Sequence, residues 1–121
     1  MAEFVSTQAP NVAQVTATPP DTSWRVIASD GTTYTTLAAL LAAGKTPYPG
    51  LDPGAYLQSL SIVSVAGGAP GSAFSFRKNP LTTPTTGQLV PAGVTWVMSG
   101  KVETIWVSTN GTDSLNLHGA Y

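Results

Sequence analysis

The chain lacks most of the residues that catalysis uses. Its 121 residues include no cysteine, one histidine, five Lys or Arg and six Asp or Glu. Without cysteine there are no disulfides and no thiolate metal ligands. Enzymes at neutral pH normally use histidine, paired carboxylates, an activated cysteine or lysine, or a metal ion. We therefore expect a small β-rich structural or binding domain with no catalytic residue, no cofactor and no metal site.

Charge is scarce throughout the sequence. Charged residues make up 9% of the chain, whereas soluble domains usually carry about 25%. The net charge is −1, and the largest basic cluster is Arg77-Lys78. Nucleic-acid binders need several cationic contacts to phosphates, so we expect no nucleic-acid partner. A surface this neutral suits contact with another protein better than it suits a free monomer.

Long apolar runs and targeting signals are also missing. The longest apolar run, Leu37 to Ala43, is far shorter than the roughly 20 residues of a membrane span. Met1-Ala2-Glu3-Phe4 carries an acid where a signal peptide carries Lys or Arg. We therefore expect no membrane contact and no secretion, and the absence of cysteine favours an intracellular origin.

Residues 1–20 differ in composition from the rest and are rich in Ala, Thr, Val, Gln and Pro. Val12 to Ala17 has extended-chain propensity, but prolines bracket it on both sides. Proline cannot donate to a sheet and forces its predecessor to be extended. We predict an extended arm or edge strand, ordered mainly by a neighbouring chain, with a frayed terminus as the alternative. The chain then divides into an arm, residues 1–20, and a domain, residues 21–121.

The segment Leu37–Ala43 is predicted to be a short helix. Thr35-Thr36 can cap its N-terminus, and Gly44 stands where the residue after a helix often has positive φ. Its leucines are spaced i, i+3 and i+4, which forms one apolar stripe. We expect this stripe to pack over the edge of a sheet.

Most of the remaining chain alternates between apolar and polar residues. Seven or eight short runs are separated by turn signals, the pattern of an antiparallel β-sandwich or barrel. The alternation drifts over residues 55–66, which predicts a bulge or burial on both faces. Turns are predicted at Ser99-Gly100 and Asn110-Gly111. The predicted core residues are Phe74, Phe76, Ile105, Val107, Leu115 and Leu117.

The polar residues do not form a recognisable site. His118 follows Asn116 on an outward face and has no metal-like companions in sequence, so we expect an exposed or interface histidine. The acids are scattered, and most stand in turn contexts where a carboxylate caps local N–H groups. A pair of acids assembled across strands, as in a glycosidase, stays an alternative.

The three tryptophans admit two interpretations. Trp24 and Trp96 fall among inward apolar residues, whereas Trp106 alternates with Ile105 and Val107 and is expected to face outward. Trp rings favour the centres of protein interfaces, and a platform for stacking sugars is the alternative. We favour an interface. The expected partner contacts are Phe4, Val12 and Val15 in the arm, Tyr48 in the Pro- and Gly-rich loop 45–54, and Trp106.

Several stretches resemble small structural proteins of tailed bacteriophages. They are Gly87-Gln-Leu-Val-Pro-Ala-Gly93, Val94-Thr-Trp-Val-Met98, Thr104-Ile-Trp-Val-Ser108 and Leu115-Asn-Leu-His-Gly-Ala-Tyr121. The front half, Asp30-Gly-Thr-Thr-Tyr34 and the run from Leu37 to Gly44, is also similar to phage structural reading frames. The resemblance covers residues 24–121. It implies a head decoration (cement) protein, a jelly-roll-like domain that binds the outer capsid surface as a trimer or dimer and has no catalytic residues.

Two main hypotheses for function follow. In the first, the chain is a non-enzymatic decoration protein on the capsid exterior, made in the host cytoplasm, whose partners are the major capsid protein and further copies of itself. A trimer is favoured over a dimer. In the second, it is a carbohydrate-binding or adhesin module, which explains the tryptophans and requires an exposed aromatic platform. A small hydrolase is the weakest hypothesis, because no feature of the sequence calls for one.

Overall fold

The computed structural model describes residues 12–50, 55–65, 73–91, 94–109 and 114–120, and these form nine strands and one short helix. In chain order the elements are β1 (Val12–Ala17), β2 (Arg25–Ile27), β3 (Thr33–Tyr34), α1 (Leu37–Ala42), β4 (Ala55–Val65), β5 (Phe74–Lys78), β6 (Gln88–Val90), β7 (Thr95–Val102), β8 (Ile105–Ser108) and β9 (Ser114–Ala120). The all-β prediction is confirmed. The two-residue strand β3 is the one that the sequence pattern missed.

The strands form two antiparallel sheets that pack as a sandwich. One sheet has the order β1-β9-β4-β7, and the other has the order β3-β2-β8-β5-β6. Apart from β3, the paired neighbours include β1 with β9, β2 with β8, β4 with β7 and β5 with β6. This nested pairing is that of one long antiparallel hairpin rolled up, which is the jelly roll.

The core between the two sheets is built from alternating side chains of both. The six predicted core residues all lie in it, each no more than 6% exposed. Polar neighbours on β5 and β9 point the other way, as the period of two requires. In β4 the register shifts between Leu57 and Leu60, and both side chains are buried. The sequence predicts a bulge or burial on both faces for this strand, and the register irregularity agrees with the first of these alternatives.

The short helix begins and ends close to where the sequence predicts. Thr36 is the N-cap, and its Oγ1 accepts a hydrogen bond from the Ala39 N–H at 3.0 Å. Gly44 follows the helix with φ +76°. Leu40 is fully buried against the outer face of the five-stranded sheet, whereas Leu41 is exposed. The helix thus covers the outside of that sheet.

The turn predicted at Ser99-Gly100 is wrong. Both residues belong to β7, which continues to Val102, and the chain changes sheets at residues 103–104. Gly100 has φ +116° and faces the bulged part of β4 across the ladder. Its conformational freedom is used to fit the strand to that irregularity, so it does not end the strand. The hairpin predicted at Asn110-Gly111 lies outside the described residues.

The segment Val12–Ala17 is an edge strand of the same chain. Each of its residues pairs with one in β9, from Val12 opposite Ala120 to Ala17 opposite Leu115. This corrects the expectation that the segment is ordered mainly by a neighbouring chain. The segment lies at the edge of the sheet, as its flanking prolines predict. It pairs there with β9 of its own domain and not with a neighbouring chain. Residues 1–11 lie outside the described part of the chain.

Candidate functional site: a cationic groove and an apolar edge

Trp106 was expected to contact a partner, and the structure corrects this. The ring points outward from the five-stranded sheet, as alternation predicts, but it is fully buried beneath α1 with Val26, Ala28 and Leu40. Its Nε1–H donates to the Pro80 carbonyl at 2.8 Å. The outward face of a strand is free for a partner only where no other element covers it, and here α1 and residues near Pro80 do.

Tyr48 is also buried inside the domain, contrary to its predicted partner contact. The loop before Gly50 folds back along β2: Tyr48 N–H donates to the Ile27 carbonyl at 2.9 Å, and Pro47 bridges Ala28. The Tyr48 ring thereby joins the central core. Residues 46–48 of this loop thus lie along the sheet rather than away from it.

The arm residues on the predicted contact list have different outcomes. Val15 is half-buried and packs against the central core of its own chain, so the parent domain already covers much of it. Val12 lies at the start of β1, and its side chain is outside the described part. Phe4 also falls outside the described residues, and its contact stays a prediction.

The three tryptophans do not form a common platform. Trp24 packs with Trp106 in the cluster on the outer face of the five-stranded sheet. Trp96 instead packs against the core between the sheets, with its ring centroid 5.5 Å from that of Phe76. The rings thus belong to two separate clusters, and Trp106 has no exposed surface.

Every acidic side chain in the described residues has a cationic partner. Asp21 binds Arg25 (Oδ2 to Nη2, 2.7 Å), Asp30 binds Lys45 (Oδ2 to Nζ, 2.6 Å), and Glu103 lies 3.4 Å from Lys101. The Arg25 hydrogen bond, followed by those from Ser23, holds the pKa of Asp21 well below its usual range.

Asp30 is shifted in the same direction. The Lys45 hydrogen bond, followed by those from Thr32, lowers the pKa of this carboxyl. Asp21 and Asp30 are thus shifted in the same direction, whereas acid and base roles use two groups whose pKa values are pushed apart.

These ion pairs give a prediction for pH titration. We expect the Asp21 and Asp30 carboxyl groups to titrate below the ordinary aspartate value of about 3.9. A lowered folded pKa stabilises the fold above that ordinary value, and the effect is lost as the pH falls through the folded pKa. Both carboxylates are about half exposed, so solvent screening keeps the effect on stability small.

Carbon-detected NMR of the side-chain carboxyl groups measures the two midpoints directly. Arg25→Gln should raise the midpoint of Asp21 and leave that of Asp30 unchanged, while Lys45→Gln should do the reverse. Midpoints at the ordinary value in the unaltered protein would show that the two pairs are not formed in solution.

His118 is the one histidine of the chain, and it lies within the described residues. No three His, Cys, Asp or Glu side chains converge there to hold an ion. His118 lies on the exposed face of β9, opposite Gln14 of β1 and Ser61 of β4. Within the same residues, no helix has the length and hydropathy needed to cross a membrane.

A surface groove of about 360 Å³ opens beside the end of β5. It is lined by Phe76, Arg77, Lys78, Thr86, Gly87 and Gln88. The β5–β6 ladder ends at the pair Phe76–Gln88, and past that pair the two chain segments are no longer hydrogen-bonded as strands. A Cβ on Gly87 would stand 2.5 Å from both the Phe76 carbonyl oxygen and Trp24 Cη2, so only glycine permits this close approach.

The groove carries the two cations that lack an acidic partner among the described residues. Lys78 Nζ donates to the Ser99 carbonyl at 3.4 Å, and among the residues that the structure describes neither Lys78 nor the exposed Arg77 forms an ion pair. Arg77-Lys78 is the largest basic cluster in the sequence. The sequence alone does not show whether these two cations are paired, since this depends on which acids the fold brings near each of them.

A second surface feature is apolar. The Phe76–Trp96 contact and the Asn79 Nδ2–Lys101 carbonyl hydrogen bond of 2.9 Å place β5 opposite β7. Because β6 is the end strand beside β5, the end strands β6 and β7 lie on the same side of the sandwich. Leu89, Val94 and Val97, on or next to these strands, are 58%, 44% and 62% exposed. We call these three residues the β6–β7 edge. Leu89 and Val97 alternate with inward residues and therefore point away from the core, each on the outer face of its own sheet. Among the described residues, neither end strand has a partner strand on its outer side.

Comparison with protein-family models, curated proteins and solved structures gave no match. The class of the molecule is therefore defined by its own fold, an antiparallel jelly-roll sandwich. Its function has to be argued from its surface, because one fold hosts many functions.

Proposed function

We propose that this chain is a non-enzymatic structural protein that binds the outer surface of a phage capsid and stabilises it. Its partners would be the major capsid protein and further copies of the chain itself, and its place would be the virion exterior after synthesis in the host cytoplasm. The resemblance of residues 24–121 to phage structural proteins motivates this proposal. The jelly roll is compatible with it, since viral capsid proteins use this architecture, as do lectins.

The observation that carries the proposal is the β6–β7 edge. Monomeric proteins usually protect edge strands with charge, proline or a covering element. The second half of β7 is covered in this way, because the ends of the Lys78 and Asn79 side chains reach its Ser99 and Lys101 carbonyls. The first half has no such cover among the described residues and exposes Val97. An end strand whose outer side is unpaired and that carries an exposed valine suits attachment to another protein.

We further propose that the chain assembles as a homo-oligomer, with a trimer favoured over a dimer. The edge offers only three large apolar side chains, and the described surface supplies few ions for additional contacts. One weak patch gains strength when closed symmetry repeats it, because linked contacts bind together.

The alternative function, a carbohydrate-binding or adhesin module, is less well supported. It requires aromatic rings presented together on the surface. In the described structure Trp106 is fully buried, and Trp24 and Trp96 belong to different clusters. The jelly roll by itself does not separate the two hypotheses, since lectins share it.

Adding the protein back to stripped particles tests the proposal. We expect purified protein to raise the melting temperature of capsids from which it has been removed. Val97→Asp should weaken this effect strongly, because it places a charge in the apolar contact. Leu81→Asp is the matched control, since Leu81 is equally exposed, at 61% against 62%, but lies in the 79–87 loop.

Two results would contradict the proposal. One is an unchanged capsid melting temperature at saturating protein, and the other is an equal loss with both substitutions. Binding of the purified chain to a glycan array, with no binding to capsids, would favour the carbohydrate hypothesis instead.

A further inference from the structure

We propose that the groove beside the end of β5 binds carboxylate groups of an acidic polypeptide segment. The inference goes beyond the proposed function, because it names a ligand chemistry that the isolated chain would recognise on any partner. It is separate from the β6–β7 edge, whose side chains are apolar.

The argument begins with the distribution of charge. The described acids are all engaged by Arg25, Lys45 and Lys101, and two cations, Arg77 and Lys78, remain. These two are adjacent in sequence, and both line the same groove. Within the described part of the chain, two cations without an acidic partner thus lie in one concave site and give it a net positive charge. A carboxylate can accept charge-assisted hydrogen bonds from both kinds of side chain.

Strand geometry favours a chain with several acids over one small anion. Successive side chains on a strand point to opposite faces, so Arg77 and Lys78 flank the groove from two sides. Arg77 lies in register with Trp106, on the outer face of the sheet, whereas the end of Lys78 lies toward Ser99 of β7. A polypeptide crossing between them can place one carboxylate on each side.

The remaining lining suits a peptide backbone. Beyond the Phe76–Gln88 pair, the backbone near Arg77 and Gly87 is no longer part of the β5–β6 ladder. The Thr86 hydroxyl and the Gln88 side chain add polar groups, although the Gln88 amide nitrogen already donates to the Leu89 carbonyl at 3.0 Å. A passing main chain needs both donors and acceptors, and this rim contains both.

The lining does not favour a sugar. Sugar rings present an apolar face that stacks on an exposed aromatic ring. The only aromatic residue that lines the groove is Phe76, which is 6% exposed, and the edge of Trp24 is packed against Gly87. An acidic sugar could therefore pair with Arg77 and Lys78, but its ring would have no exposed aromatic side chain to stack on among the residues that line the groove.

Titration of the isolated chain with short peptides tests the inference. The probe is an acetylated tetra-aspartate peptide at low ionic strength, followed by amide NMR shifts, with tetra-asparagine and tri-galacturonate as comparisons. We expect tetra-aspartate to shift the amides of Arg77, Thr86 and Gly87, and tetra-asparagine to leave them unchanged. The combined Arg77→Gln and Lys78→Gln variant should bind at least about tenfold more weakly.

Lys101→Gln is the matched control, because it removes one exposed cation that does not line the groove. Its affinity for tetra-aspartate should stay within about twofold of the unaltered protein. Equal affinity in the double variant, or shifts spread evenly over the surface, would overturn the inference. Tighter binding of tri-galacturonate than of tetra-aspartate would replace the polypeptide with an acidic sugar. The assay contains no capsid, so its failure and that of the proposed function are distinguishable.

Discussion

Trp106→Ala is expected to lower the free energy of unfolding by about 3–5 kcal/mol. The indole ring has no exposed surface and fills the cluster beneath α1 with Val26 and Leu40. Its removal leaves a cavity between the helix and the sheet, and the Pro80 carbonyl loses one of its two side-chain donors, the other being Thr104 Oγ1. Chemical denaturation monitored by circular dichroism measures the change.

Two further variants separate packing from hydrogen bonding at this site. Trp106→Phe keeps most of the ring and loses the N–H, so we expect a smaller loss than with alanine. Leu81→Ala, at an exposed position, should change stability by less than about 0.5 kcal/mol. If Trp106→Ala were as mild as the Leu81 control, the ring would be exposed and available to a partner, as the sequence alone suggested.

Deletion of residues 1–18 is expected to destabilise the domain by at least about 3 kcal/mol. The deletion removes the whole of β1, whose six residues pair with β9. It also removes Val15 and Ala17, which pack against the core, and so leaves that part of the core uncovered. A loss of this size corresponds to a fall in Tm of roughly 10 °C or more. This reverses what the composition of the segment suggests, because an arm ordered by a neighbour would leave the melting temperature of the domain unchanged.

Deletion of residues 1–11 alone is the matched control, since it keeps β1. We expect its Tm to lie within about 2 °C of the full chain's, because it takes away none of the strand pairs described. A similar Tm for both deletions would show that β1 contributes little to the isolated domain and that the arm hypothesis is correct.

The secondary structure was largely predictable because it follows from signals between residues close in sequence. Alternation placed Phe74 and Phe76 of β5 and Leu115 and Leu117 of β9 in the core, and a Thr N-cap with a following glycine located α1. Both signals depend on neighbours within a few residues along the chain. Such rules fail at Gly100. The sequence predicts a turn there, but this glycine lies within β7, where its positive φ fits the strand to the register irregularity of β4 opposite.

The contact surface was harder to predict, because exposure is decided by elements distant in sequence. Tyr48 and Trp106 have the residue types of interface anchors, yet one folds onto β2 and the other lies under α1. The sequence does contain the adjacent cations of the groove, Arg77-Lys78. That they form no ion pair among the described residues follows from the fold, because Asp21, Asp30 and Glu103 each pair with another cation.

The sequence by itself determined the all-β class, the inward faces of the strands and most of the secondary structure, β3 and the end of β7 excepted, since hydrophobic alternation and capping act over a few residues. It also determined how little charge the surface can carry. Only the tertiary structure decided that β1 completes a sheet within its own chain, which side chains α1 covers, and which cations stay unpaired. These outcomes depend on contacts between residues far apart along the chain, such as the pairing of Val15 with Leu117. A local sequence pattern does not specify which distant residue will be in contact.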